Sequence, residues 1–230
     1  MIKENLTEVQ QKIQAACRRA GRDASEVTLI AVSKTKPLEM IREAYAAGMR
    51  EFGENKPQEM RDKAKELENP VKWHMIGSLQ TNKIKYVVGT ACLIHSVDSV
   101  ALAAAIEKEA AKKELVMDIL LEVNMAKEES KHGLMEEDVL PAVLEIAKMS
   151  HLRVRGLMTV APYTENAEEN RIYFRKMKEL LVDIRSKNID NVFMDILSMG
   201  MSSDYEVAIE EGATMVRIGT GIFGERIYSH

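Results

Sequence analysis

The chain has 230 residues, 46% apolar and 30% charged, which is the balance of a globular protein and excludes a disordered or collagen-like one. A formal net charge of −4 and an aromatic content of only 5% argue against nucleic acid as a partner. Cys17 and Cys92 form no C-x-x-C pair, no apolar run approaches the ~20 residues of a membrane span, and the charged stretch MIKENLTEVQ has no signal-peptide core. The default expectation is a protein of the reducing cytoplasm with no disulfide framework, no zinc site and no membrane partner.

Leu6, Val9, Ile13, Ala16 and Cys17 recur at helical spacing and predict an opening helix that stops at Gly21. The β-branched run VTLIAV at 27–32 predicts a buried strand, and 38–47 a helix. The alternation then repeats. Strand 50–52 precedes helix 57–67, strand 71–76 a helix reaching 88, and strand 92–97 the Ala-rich helix 99–113. Strand 116–123 leads through the polar loop NMAKEESKHG to helix 136–149, in which Pro141 is the awkward residue. Strand 152–158 precedes the long helix 167–187, strand 192–197 the short helix 205–211, and strand 214–218 the segment GTGIFGER. The 15 methionines fall mostly on helical stripes and read as core filler.

Eight strands, each followed by a helix or turn, with no linker between them, call for a parallel sheet covered by helices. The predicted architecture is a single-domain (β/α)₈ TIM barrel over residues 1–230 with an extra N-terminal helix. A doubly wound open sheet is the rival, but no G-x-G-x-x-G follows the first strand.

In a barrel, chemistry sits at the C-terminal ends of the strands. Ser33, Lys34 and Lys36 follow the first strand, Glu54 and Asn55 the second, and Asn124 the fifth. His74 lies on the third, with Ser78 beyond it. Ser198, Gly200, Ser202 and Ser203 follow the seventh; Arg217, Gly219, Thr220 and Gly221 end the eighth. Lys34 has the strand parity of Ile30 and Val32. A lysine continuing an apolar face is held dry, and Lys36 beside it would depress its pKa further, freeing the amine for a carbonyl. The alternative is a lysine that caps the strand and reaches solvent.

The loops SMGMSSD and RIGTGIFG offer hydroxyls and close backbone approach, either as a phosphate cradle or as tight turns. Arg217 is either an inward phosphate or ring-nitrogen ligand or a surface ion-pair partner. The five histidines show no metal-ligand spacing. His74 alone falls in a strand near the presumed mouth, where it reads more simply as a satisfied core histidine.

The motifs AVSKTKP (31–37), FGEN (52–55), WHMIGSLQTNK (73–83), SKHG (130–133), RGLMTV (155–160), LSMGMSSD (197–204) and VRIGTGIFGER (216–226) span the chain. With them it resembles the pyridoxal phosphate (PLP) homeostasis proteins of the YggS and PROSC type, themselves similar to the barrel domain of alanine racemase. The resemblance implies a fold-type III PLP barrel. Lys34 would carry PLP as an aldimine, Ser198, Gly219 and Thr220 would hold its phosphate, and Arg217 would face its ring nitrogen. Asn55 and His74 would line the pocket, with Asn82 and Lys83 near the mouth. His132 departs from the serine that many relatives carry in S-K-S-G.

The function implied is control of free PLP and of amino- and keto-acid pools, with PLP and apo-PLP enzymes as partners and a monomer as the expected state. Two other readings remain open: a PLP-dependent amino-acid racemase, and a sugar-phosphate barrel using Lys34 without PLP. Racemases of this kind take a second proton-transfer group, a tyrosine, from a further domain. Here the sequence runs only to His230 after the eighth unit, and Tyr163 alone lies in a loop at the ligand-bearing end, so no useful racemisation is expected.

Overall fold

Short runs of apolar and β-branched residues, each too brief for a buried helix, pair in parallel only when a crossover joins them. The computed structural model describes residues 1–68 and 70–224, and in it these runs close into one barrel in the order β1-β2-β3-β4-β5-β6-β7-β8. The strands are β1 (Thr28–Val32), β2 (Glu51–Glu54), β3 (Lys72–Met75), β4 (Ala91–Val97), β5 (Met117–Glu122), β6 (Leu152–Met158), β7 (Val192–Ser198) and β8 (Met215–Ile218). The final pairing sets Ile30 of β1 opposite Arg217 of β8.

The helices are α1 (Ile2–Arg19), α2 (Leu38–Ala46), α3 (Pro57–Glu66), α4 (Val100–Lys112), α5 (Glu136–Ile146), α6 (Arg171–Ser186), α7 (Tyr205–Glu210) and α8 (Thr220–Phe223). Most predicted elements recur within one to three residues. Between β3 and β4 the expected helix is instead a 3₁₀ segment, Thr81–Tyr86. Gly89 then turns the chain at φ +88. The segment Ala167–Asn170 is likewise 3₁₀, capped by the Asn166 side chain, and α6 starts only after it. Pro141 is accepted inside α5, where its ring is exposed.

Each strand divides its side chains between two surfaces. The outward set, such as Ile119, Leu121 and Val154, packs under the helices in one continuous core. The inward set is layered along the axis. Leu93, Leu120 and Met158, with Val160, Ile196 and Met215 against them, form a separate apolar cluster. At the end where the strands begin lie charges in pairs: Lys72 with Glu51, Arg153 with Asp118, and Arg155 with Asp118 and Asp195.

The additional N-terminal helix has a structural task. α1 buries Leu6, Val9, Ile13, Ala16 and Cys17 and packs on α2, α7 and α8. Asn5 Nδ2 donates to the Ile222 carbonyl at 2.9 Å, and Arg22 beyond the helix donates to the carbonyls of Ile209 (2.7 Å) and Ala213 (2.9 Å). α1 thereby braces the segments after β7 and β8, where the candidate site lies. No helix among the described residues is long and apolar enough to cross a membrane.

Leu6 is almost fully buried between these elements. Leu6→Ala is expected to lower the unfolding free energy by ~2–5 kcal/mol, measured by urea denaturation.

Candidate functional site

The turn after β1 is held by a buried polar network. Ser33 Oγ donates to Glu54 Oε1 at 2.6 Å. Lys63 of α3 donates to the Ser33 carbonyl (2.7 Å), to Glu54 Oε1 (2.8 Å) and to Glu59 Oε1 (2.7 Å). The same Glu59 oxygen accepts the Thr35 amide at 2.6 Å. Thr35 sits at φ +63, a left-handed conformation that a threonine adopts only when its surroundings impose it. Burial pushes the Glu54 carboxyl above its usual range, against the pull of Lys63. Lys34 rides on this turn, half-buried, just past the inward-facing Ile30 and Val32.

Lys36 is drawn elsewhere. Its amine donates to the Gly224 carbonyl at 3.2 Å, with the Phe223 carbonyl at 3.5 Å, tying the first βα loop to the last. That last loop is close in another way: a Cβ on Gly219 would lie 3.4 Å from Val32. Ser202 Oγ accepts the Gly221 amide at 3.4 Å, which joins the loops after β7 and β8. Gly200 turns at φ +95, and a Cβ there would come within 2.6 Å of the Ala208 side chain, so the SMG bend needs glycine. Thr220 is exposed at the rim. The Glu225 and Arg226 of the last motif, with Tyr228 and His230, lie outside the described residues.

Of the two readings of Arg217, the inward one holds: its side chain is 3% exposed. It donates to Ser198 Oγ at 2.5 Å and to the Thr159 carbonyl at 2.9 Å. Burial lowers its pKa to about 10, opposed by the Glu122 and Asp204 carboxylates, so it remains a cation at neutral pH.

Ser198 is fully buried, and its Oγ also meets His95 Nδ1 at 2.9 Å. His95 Nε2 meets His74 Nδ1 at 2.9 Å, and His74 Nε2 meets Glu51 Oε2 at 2.7 Å. His74 is therefore the satisfied core histidine of its simpler reading, not a residue at the mouth. Two hydrogen-bond steps separate it from Ser198, on the side where the strands begin, and both ring nitrogens are engaged. His95, to which the sequence assigned no part, is the residue between them. Burial, His74 and Arg217 hold its pKa well below the usual histidine range, so it is neutral.

Asn55 is half-buried beyond β2, where Gly77 fits only because it lacks a Cβ: one would lie 2.4 Å from the Asn55 carbonyl oxygen. Asn55 shares an open cleft with Ser78, Gln80 and Lys83, while Asn82 is exposed nearby. Asn124 closes its own loop, donating to the Glu128 carbonyl (2.8 Å) and accepting the Glu128 amide (3.1 Å). His132 is exposed, 3.8 Å from Asp98, and Tyr163 is 88% exposed.

The structure thus brings the Lys34 turn, Gly219 and Arg217 with Ser198 to one end of the barrel, and sets His74 deeper. Lys63, Glu59 and Thr159 carried no sequence signal, because their partners lie on other elements.

The family model for the alanine racemase N-terminal domain matches residues 5–227. The pyridoxal phosphate homeostasis protein of Aquifex aeolicus is 48% identical over 226 residues, covering 98% of each chain. That of Escherichia coli is 38% identical over 233 residues, covering 99% of this chain and 98% of the other. PipY of Synechococcus elongatus with PLP bound superposes with a TM-score of 0.84 at 35% identity, covering 97% of this chain and 100% of PipY. An alanine racemase of Clostridium difficile, 12% identical, covers 98% of this chain and 56% of its own at a TM-score of 0.76, and shares the fold. The barrel is that of the alanine racemase N-terminal domain class. Within that class the chain belongs to the family of pyridoxal phosphate homeostasis proteins.

Glu122, at the inward end of β5, has its carboxyl pushed up by burial and by nearby Asp98, against the pull of Arg217 and His132. A carboxyl with a raised folded-state pKa favours the folded state at low pH. That contribution is lost as pH rises from the ordinary value of ~4.3 through the raised one. Glu122→Gln should match the wild type in stability below pH ~4 and exceed it progressively toward neutrality, as read by urea unfolding across pH.

Proposed function

We propose that this chain binds PLP reversibly, with Lys34 as the covalent attachment point, and that it serves PLP homeostasis by holding the cofactor and releasing it to apo-PLP enzymes. The observation that carries this reading is the convergence of three groups at one barrel end: the Lys34 turn, the Gly219–Thr220 loop beside Val32, and a buried cationic Arg217. The PLP-bound relative, similar over nearly the whole chain, supports it.

The donor set fits the cofactor's chemistry. PLP supplies an aldehyde for an amine, a phosphate, and a pyridine ring that withdraws electrons when its nitrogen is protonated. Lys34 offers the amine on a rigid turn. Gly219 and Thr220 offer close backbone approach and a hydroxyl to phosphate oxygens. Arg217, cationic at neutral pH and held by Ser198 and Thr159, would face the ring nitrogen and disfavour a second positive charge there. Ser198, the other phosphate ligand that the resemblance implies, has its hydroxyl between Arg217 and His95 and so also holds the arginine in place. His74 supports the same arginine from below through His95. Asn55 borders the mouth.

Racemisation needs proton exchange on both faces of the cofactor. Lys34 serves one face, and the loop tyrosine, Tyr163, stands out in solvent. A one-sided site suits storage and release over turnover. A monomer in the cytoplasm, with effects on amino- and keto-acid pools, completes the reading.

Loading with PLP, reduction with borohydride and peptide mapping should place the pyridoxyl group on Lys34. Lys34→Ala should lose the visible band while keeping its fold by circular dichroism. A normal reducible band in Lys34→Ala, or labelling of Lys36 in the wild type, would overturn the assignment. Arg217→Glu should shift the band and weaken PLP binding by ~10-fold or more, since hydrogen bonds to a charged group contribute ~1.5–3 kcal/mol. Turnover near ~1 s⁻¹ in deuterium exchange at the Cα of any amino acid would overturn the carrier reading.

A further inference from the structure

We propose that Glu51, His74 and Cys92 form a binding site for a zinc-class divalent cation at the end of the barrel opposite Lys34. Glu51 opens β2, Cys92 is the second residue of β4 and His74 the third of β3, and these strands are neighbours in the barrel. One donor atom from each lies within 4.8 Å of the other two. The site lies on the side where the strands begin, touches the proposed cofactor site only through the His95–Ser198 contacts, and needs no bound PLP.

The spacing fits tetrahedral coordination. Zinc bound to nitrogen, oxygen and thiolate sulfur at ~2.0–2.3 Å sets N···S near ~3.6 Å and N···O near ~3.3 Å. Cys92 Sγ lies 3.6 Å from His74 Nε2, already at that separation. Glu51 Oε2 lies 2.7 Å from the same nitrogen, a hydrogen bond, so the carboxylate must draw back by roughly half an ångström once the cation takes the proton's place. Three protein ligands leave a fourth position for water.

The imidazole is already oriented. A zinc-ligating histidine characteristically donates its other N–H to a fixed partner. Here His74 Nδ1 meets His95 Nε2 at 2.9 Å, deep in the barrel, and His95 can pass its own Nδ1–H to Ser198. In that tautomer the His74 Nε2 lone pair faces Glu51 and Cys92.

The charge balance also fits. A dication with one thiolate, one carboxylate and a neutral imidazole is a neutral centre, set among arginine–aspartate pairs that already balance one another. Loading releases the thiol proton to solvent. His74 presents Nε2 to the cation with its proton on Nδ1, neutral His95 changes only tautomer, and no redox partner is needed. Lys72, the other partner of Glu51, binds its Oε1 and has an exposed side chain free to swing away from the cation. Exposed Cys92 gives entry from solvent. The signal escaped the sequence because the ligands come from three strands with no spacing motif.

The test uses the full-length, metal-free protein titrated with Co²⁺. The expected result is one tight equivalent with the visible bands of a tetrahedral centre and a thiolate-to-cobalt charge-transfer band, both displaced by Zn²⁺. Cys92→Ala should abolish the charge-transfer band, and Glu51→Gln should weaken Co²⁺ binding by ~10-fold or more. Cys17→Ala should keep the full spectrum, because Cys17 is packed in the apolar stripe of α1. Absence of a charge-transfer band in the wild type, or its persistence in Cys92→Ala, would overturn the proposal. Exposed Cys92 can be replaced without a core defect, so a folded variant is assured for the comparison.

Discussion

The arginine inside the barrel constrains much of what surrounds it. An ionised guanidinium removed from water is tolerated only if its donors are met by the protein. Arg217 meets the Ser198 hydroxyl and the Thr159 carbonyl, with Glu122 and Asp204 as the opposing charges. Ser198 in turn must keep its place, and His95, His74 and Glu51 continue the chain of contacts to the end where the strands begin. A half-satisfied network of this kind would destabilise the barrel, so its members stand or fall together.

The turn bearing Lys34 is rigid for a related reason. Its backbone conformation at Thr35 is unfavourable in isolation. The Lys63 ammonium offsets this by meeting the Ser33 carbonyl and two carboxylates at once, while Glu59 receives the Thr35 amide. A flexible lysine is thereby mounted on an inflexible base, as the proposed covalent attachment would use. The bracing by α1 does the same for the opposing loops after β7 and β8.

Along the axis, polarity separates the two ends of the molecule. The inner apolar cluster stands with the histidine pair between the paired charges at the beginning of the strands and the candidate-site loops at their end. The histidines are the polar connection across this layer. Being neutral, His95 can be buried without a counter-charge, and it can donate or accept at either nitrogen according to tautomer.

The residue pattern alone determined most of the alternation of strand and helix and favoured the barrel over an open sheet, because burial periodicity is local: VTLIAV reads as a covered strand, and Leu6 through Cys17 as a helical stripe. It also placed Lys34, Arg217 and the two glycine loops at one barrel end, since strand parity and strand ends are read along the chain. What it left open was decided by tertiary structure. Arg217 could face in or out until its register against Ile30 was set by barrel closure. His74 read most simply as a satisfied core histidine, but that its partners are His95 and Glu51 was set by the layering of the interior. Lys36 read as a second cation near Lys34, and its tie to the carbonyls at the end of α8 was visible only in the fold. Lys63 and the trio of Glu51, His74 and Cys92 had no linear signature. Their partners are brought near only when separate strands pair and helices pack, and contacts between distant segments leave no periodic trace in sequence.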